Sequence, residues 1–168
     1  MNIQYIADKD VTPIIDAQLR YILSTCFAED AAKFSQQRFF NEMPPHRYFV
    51  LDSSENIVAH IAVHEKNVII DDVELSVAGI AEVCVLPRYR KQGLVHGMLA
   101  HIHKHLEKKG IHFSILFGDY CIYNSNGYQD VTNLTIFLDG QWKPVKAMAC
   151  GIASHWPKVP VKLKGAPF

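Results

Sequence analysis

The sequence predicts an α/β fold in one domain over residues 1–168, with a central mixed, twisted sheet and helices on both faces. Three observations predict it. The 168 residues, 49% apolar and 20% charged, suit one domain with one core, and no repeat, low-complexity tract or Gly/Ser linker divides them. The apolar spacing is helical near the N-terminus, strand-like in the middle and helical again after Gly93. Finally, a β-branched run, an amphipathic helix and a second apolar run follow one another from Val73 to Phe117. That order is a βαβ unit, so its two strands should be parallel neighbours.

Taken in order, Asn2 to Ala7 reads as an opening strand. Thr12-Pro13 is a helix start, because Thr caps and Pro suits the first helical position. Ile14, Ile15, Leu19, Ile22, Leu23 and Cys26 then repeat at helical spacing. A second helix is expected from Ala31 to Phe40, stopped before Pro44-Pro45. Tyr48–Leu51 is a strand, residues 52–56 a hairpin turn, and Ile57 to His64 the next strand, with Val68 to Asp71 continuing it or starting another. Val73 to Leu86 suits a strand buried on both faces. From Gly93 to Lys109 the residues Leu94, Val95, Met98, Leu99, Ile102 and Leu106 form one apolar face. Lys104, Lys108 and Lys109 complement the helix dipole and Gly110 ends the helix. Phe113 to Phe117 is a strand and Cys121 to Asn126 a short helix. Strands near Val131 to Leu138 and Lys143 to Cys150 precede an extended tail, Trp156 to Phe168.

Composition narrows the function. Lys plus Arg and Asp plus Glu each number 17, without the basic excess of a general nucleic-acid binder. No apolar run approaches the roughly 20 residues that span a bilayer, and Met1–Tyr5 lacks a signal-peptide pattern. The scattered Cys26, Cys84, Cys121 and Cys150 suit reduced thiols in the cytoplasm better than a disulfide frame or a zinc site.

The stretch from Val83 to Gly97 carries the chemistry. A buried strand runs into a turn with Arg88, Arg90 and Lys91, and the turn opens a long helix. The first N–H groups of a helix have no internal partners and, with the dipole, make an anion site. Gly93 lets an anion approach the backbone. Three positive charges in four positions of a neutral chain point to a polyanionic ligand. An ordinary solvated connection fits the composition equally well. The spacing is neither a P-loop nor Gly-x-Gly-x-x-Gly.

Arg90-Lys91-Gln92-Gly93-Leu94-Val95 resembles the Gln/Arg-x-x-Gly-x-Gly/Ala signature of the Gcn5-related N-acetyltransferases (GNAT). Val95 stands where the family prefers Gly or Ala, and this Gly-Leu-Val form resembles the Eis-like branch. Further on, Tyr123, Gly127 and Tyr128 resemble the family's later Tyr-x-x-x-Gly-Phe/Tyr motif. The resemblance is strong from about Ile80 to Val131. It implies that Val83, Cys84 and Val85 run beside the pantetheine arm of acetyl-coenzyme A, pairing with it like an added strand, with an N–H near Val85 facing the thioester oxygen. It implies that Gly93, Leu94, Val95 and His96 hold the pyrophosphate, with Arg88, Arg90 or Lys91 near the phosphates and Gln92 also among the cofactor-binding residues.

Roles for single residues follow. Tyr123 is the candidate general acid, since a phenol titrating near about 10 is protonated at neutral pH; packing against the next strand is the alternative. Glu82, a lone carboxylate in an apolar strand, is the candidate general base, because burial would raise its pKa. A strand carboxylate paired with an Arg or Lys is the competing reading. The Eis-like resemblance adds the Phe168 carboxylate as a second candidate. Tyr128 is assigned to the core. Cys84 reads as a buried strand residue. His101, His103 and His105 fall off the apolar stripe and read as a solvated face, so no metal is expected. Glu29 and Asp30 read as an acidic helix connection or as an attraction for a cationic amine.

The function implied is acetyl-coenzyme A-dependent N-acetyltransfer to a small-molecule or peptide primary amine, by direct attack in a ternary complex. The alternative is a non-catalytic acyl-coenzyme A sensor or interaction module. Exposed edge strands allow a homodimer.

Overall fold

The computed structural model describes residues 2–168. Contacts divide the chain into two compact units. One holds the chain up to His64 together with Ala81–Leu99; the other holds Glu65–Ile80 and Ala100–Phe168. The division falls within two long strands, β3 (Ile57–Ile70) and β4 (Val73–Val85), and within the helix α3 (Leu94–Lys108).

In the first unit, β1 (Ile3–Ala7) pairs antiparallel with β2 (His46–Leu51), and β2 pairs antiparallel with the start of β3. The helix α1 (Pro13–Cys26) starts as the sequence predicts: the Thr12 hydroxyl accepts the Ile15 N–H at 3.3 Å and Pro13 opens the first turn. Its buried stripe is Leu19, Ile22 and Leu23, all 0% exposed.

The expected helix from Ala31 to Phe40 is only α2, Ala31–Phe34. Tertiary bonds end it. Arg38 pairs with Asp8 and Asp16, and the Phe40 N–H donates to Glu82. These partners outweigh the small gain from one more helical turn.

In the second unit, Val77–Ile80 of β4 pair in parallel with β5 (Phe113–Leu116), as the βαβ reading requires. This parallel pair, set among antiparallel ones, makes the α/β sheet mixed. β9 (Ala147–Gly151) pairs antiparallel with β5 and with β6 (Gln129–Val131). The tail is more than extended: β10 (Val161–Leu163) lies antiparallel to Val68–Ile70 and parallel to β7 (Leu134–Leu138). Val68, Val77, Phe113, Ile115, Leu134 and Val161 share one apolar core.

Each of the two late strand predictions is two strands. Val131 to Leu138 breaks at Asn133, whose amide donates to the Pro157 and Val159 carbonyls. The second region divides into β8 (Gln141–Pro144) and β9. Asp139 and Gly140, with φ of 52° and 76°, make the tight turn from β7 to β8 that an Asp-Gly pair favours. The strand read as doubly buried from Val73 to Leu86 is buried at Val77–Ile80, whereas Val73, Glu74 and Ser76 are exposed.

Among the described residues, no helix is long and apolar enough to cross a membrane. All four cysteines are free thiols.

Candidate active site

The basic turn lies wholly in the first unit. Leu86 leaves β4 with its N–H on the Val58 carbonyl, Pro87–Tyr89 form one 3-10 turn, and α3 opens at Leu94. Lys91 and Gly93 take left-handed φ values of 62° and 72°. A Cβ on Gly93 would meet nothing within 4 Å, so the backbone there faces open space. The bond from the Gly97 N–H to the Gly93 carbonyl, at 3.0 Å, precedes the regular ladder of α3. The N–H groups of Leu94, Val95 and His96 therefore come before the first intrahelical donor, the condition for an anion site.

The three basic side chains are placed differently. Arg88 is 67% exposed and reaches Asp52 at 3.4 Å. Arg90 donates from Nε to the Val85 carbonyl at 3.1 Å. Lys91 is exposed, as are Gln92 and His96; Leu94 and Val95 are half-buried. The turn is braced by Asp52, which accepts the Tyr89 hydroxyl at 2.9 Å. Hydrogen bonds from Asn56 and Tyr89 hold the Asp52 carboxyl below its ordinary pKa.

Glu82 interrupts β4 with φ 51°, a conformation that costs a non-glycine residue about 1 kcal/mol or more and re-aims its side chain. The side chain is 5% exposed. Oε1 accepts the Phe40 N–H at 2.8 Å and Oε2 accepts Arg47 Nη1 at 3.3 Å. Burial pushes the carboxyl up to about 7, against the pull of Arg47 and the Phe40 N–H. The two sequence readings of Glu82 thus meet in one residue: a carboxylate with a raised pKa that is also paired with an arginine.

The sequence reading missed the residues around Glu82. Arg47 is 0% exposed and donates from Nε to Asp8 in a short contact. His60, also 0% exposed, donates from Nδ1 to the Glu82 carbonyl oxygen at 3.2 Å, so its Nε2 accepts Arg47 Nη1 at 3.3 Å. Burial and the neighbouring Arg47 bring His60 down to about 3, so it is neutral. The available signal was an Arg directly before the apolar run Tyr48–Leu51 and a His inside the apolar run Ile57–Val63.

Cys84 is buried between Val83 and Val85, which are half-buried. Burial pushes its thiol well up. Cys26 donates to the Val85 carbonyl at 3.4 Å. Its hydrogen bond with Cys84, aided by Arg90, draws it down to about 7.

In the second unit, Tyr123 closes α4 (Tyr120–Tyr123) and is buried, its ring edge-on to Tyr128 at 6.0 Å. A Cβ on Gly118 would lie 2.5 Å from the Tyr123 ring, so the glycine leaves room for the phenol. Tyr128 is in the core, as read, but not alone. Its hydroxyl lies 2.7 Å from the Ser114 hydroxyl and 3.0 Å from His103 Nε2. That corrects the reading of His103 as solvated: α3 turns it into a buried polar cluster, and burial lowers its pKa. Among the described residues, no group of His, Cys, Asp or Glu is arranged to hold a metal. The Phe168 ring stacks 5.1 Å from Phe117 and lies over Gly79, where a Cβ would come within 2.6 Å of it.

Comparison with known proteins gives the family. The acetyltransferase (GNAT) domain profile matches residues 3–131. A GNAT family N-acetyltransferase (YhbS) from Escherichia coli, solved in complex with CoA, is 16% identical. The alignment covers 96% of this chain and 89% of that one, with a TM-score of 0.66. A GNAT family acetyltransferase from Brucella melitensis, solved with acetyl-CoA, is 16% identical over 95% and 94% of the two chains, at 0.62. Eis1 from Mycobacterium abscessus is 10% identical at 0.61, covering 79% of this chain. The chain spans about a third of Eis1, and 33% of a probable N-acyltransferase from Enterococcus faecalis. No curated protein matches the sequence. These identities carry the fold, and the profile, which spans most of the sequence, carries the family: the chain belongs to the GNAT acetyltransferases.

Proposed function

We propose that the protein is an acetyl-CoA-dependent N-acetyltransferase acting on a primary amine by direct attack in a ternary complex, as one domain over residues 1–168. The observation that carries this is the open, basic anion cradle at Lys91–His96, directly after a strand that bears a buried, raised carboxylate. The cradle suits a pyrophosphate: Gly93 faces open space, the first amides of α3 are available, and Arg88, Arg90 and Lys91 supply positive charge. Val83, Cys84 and Val85 would take the pantetheine arm along the β4 backbone. Acetyl-CoA supplies the activated acetyl thioester.

The protein's own groups do the rest. Glu82 takes a proton from the attacking amine, which a carboxylate titrating near about 7 can accept at neutral pH. Tyr123 gives a proton to the departing thiolate. Cys84 stays a thiol and takes no acyl group, because burial disfavours its thiolate. The four free thiols suit a reducing compartment.

A melting curve with acetyl-CoA tests the reading. At 100 times its dissociation constant a ligand adds about 2.7 kcal/mol, which for a chain of this size raises Tm by roughly 5–10 °C. One cooperative transition is expected throughout. No shift at millimolar acetyl-CoA would overturn the assignment. A shift without thiol release on any amine would instead make the protein an acyl-CoA sensor.

Tyr123→Phe keeps the ring over Gly118 and removes only the hydroxyl. It is expected to lower kcat about 10²-fold, the lower end for general acids, because a thiolate is a fair leaving group. The melting temperature should stay within about 2 °C of wild type, since the packing is unchanged. An unchanged kcat would leave Tyr123 as a packing residue.

A further inference from the structure

Six charged side chains in the first unit alternate in sign along a line of contacts. Arg20 meets Asp16 at 2.8 Å and Asp16 meets Arg38 at 3.0 Å. Arg38 meets Asp8 at 2.5 Å through Nη2 and at 3.0 Å through Nε. Asp8 meets Arg47, and Arg47 meets Glu82 at 3.3 Å. The side chains become more buried along the line, from 35% exposed at Arg20 to 4%, 0% and 5% at Asp8, Arg47 and Glu82. The link to Glu82 is the longest of the five.

The unequal sharing of Arg47 is the informative part. Its Nε goes to Asp8 in the shorter contact, Nη1 is divided between Glu82 and His60, and Nη2 has no hydrogen-bond partner. An arginine closed on one carboxylate makes two parallel hydrogen bonds and favours its ionised form strongly. Such a carboxylate would be a poor base. With no cation nearby, the same buried group would hold its proton through neutral pH. Glu82 lies between these limits: burial raises it, and Arg47, with one bond to it at 3.3 Å and its Nε edge on Asp8, pulls it back only in part.

We propose that Asp8, by holding the Nε edge of Arg47, is a positioning residue that keeps the guanidinium from clamping Glu82 and leaves that carboxylate able to accept a proton. This rests on Glu82 being the base. The groups around Glu82 come from several segments: Arg47 on β2 and the Phe40 N–H before it on the carboxyl, Asp8 after β1, the Cys84 thiol on β4 itself, and the neutral His60 on β3 at the Glu82 main-chain carbonyl. Burial raises Asp8, but hydrogen bonds from Arg38 and Arg47 outweigh it and hold the carboxyl below its ordinary value, so it stays charged where Glu82 titrates. Cys26, beside Cys84, titrates in the same range, so the readout must be Glu82's own carboxyl carbon.

The experiment follows that carbon by NMR across pH 5–9, beside the kcat–pH profile, in wild type, Asp8→Asn, Asp8→Glu and Arg38→Met. Asp8→Asn is expected to lower the Glu82 midpoint by about one pH unit, and Asp8→Glu to restore it. Arg38→Met leaves Asp8 less neutralised and should raise the midpoint, which gives a test even if Asp8→Asn does not fold. A midpoint that stays or rises in Asp8→Asn, or falls in Arg38→Met, overturns the positioning role whatever the rates do. A midpoint that falls in Asp8→Asn while the acid limb of kcat stays fixed supports the positioning role and overturns Glu82 as the base. Both moving together supports both.

Discussion

Glu82→Gln should lower kcat about 10²- to 10⁴-fold at neutral pH, the usual contribution of a positioned general base. The amide keeps one oxygen, which can accept from the Phe40 N–H or from Arg47 but not from both as the two carboxylate oxygens do, and the proton acceptor is lost. In wild type, kcat should rise with pH and level off above about 7, as Glu82 loses its proton; in the variant that limb should be absent. A wild-type acid limb in Glu82→Gln would assign it to another group, with Cys26 the first to examine.

The same substitution has a stability signature whose sign follows from linkage. The folded state raises Glu82 from an ordinary value of 4.5 to about 7. The folded protein therefore binds the extra proton between those values. Stability from this group is fully present below about 4.5 and is lost as pH rises through about 7. Wild type should lose stability relative to Glu82→Gln between pH 4.5 and pH 8, by up to about 3 kcal/mol at 1.36 kcal/mol per pH unit. Urea unfolding of both proteins across that range reads the difference directly. A constant difference would mean that Glu82 titrates normally in the folded state.

Much of this site was legible in the sequence because its parts are local. Thr12-Pro13, the run from Val73 and the Gly93 helix start are each fixed by residues within one turn or one strand. The same holds for the cradle, whose amides are exposed simply because a helix begins there. Glu82 stood out as one carboxylate in an apolar run. What escaped notice were side chains paired across long sequence separations. Asp8, Arg47, His60 and Glu82 come from four segments, and only the fold brings them together. His103 escaped for the same reason: helical spacing put it off the apolar stripe, but Ser114 and Tyr128 lie where it points. The truncation of α2 likewise depends on Arg38 finding Asp8 and on the Phe40 N–H finding Glu82, neither a neighbour in sequence.

Gly93→Asp should separate cofactor binding from folding. A Cβ at Gly93 meets nothing within 4 Å, so the substitution creates no clash. The φ of 72° asks a side chain to adopt the left-handed region, a cost of about 1 kcal/mol that Asp tolerates better than most residues. The larger effect is electrostatic. A carboxylate about 4 Å from a phosphate is repelled by roughly 1 kcal/mol in water and roughly 4 kcal/mol near a protein surface. A loss near the middle of that range weakens acetyl-CoA by about 10²-fold. The expected result is an acetyl-CoA KM raised by about that factor, and no acetyl-CoA-dependent rise in Tm at concentrations that stabilise wild type. The melting temperature without ligand should fall by only a few degrees. Gly93→Ala adds the backbone cost without the charge, so it should keep most of the ligand-induced stabilisation. If Gly93→Asp were stabilised by acetyl-CoA as much as wild type, the pyrophosphate would have to lie elsewhere, and the basic turn would be the solvated connection that its composition alone also allows.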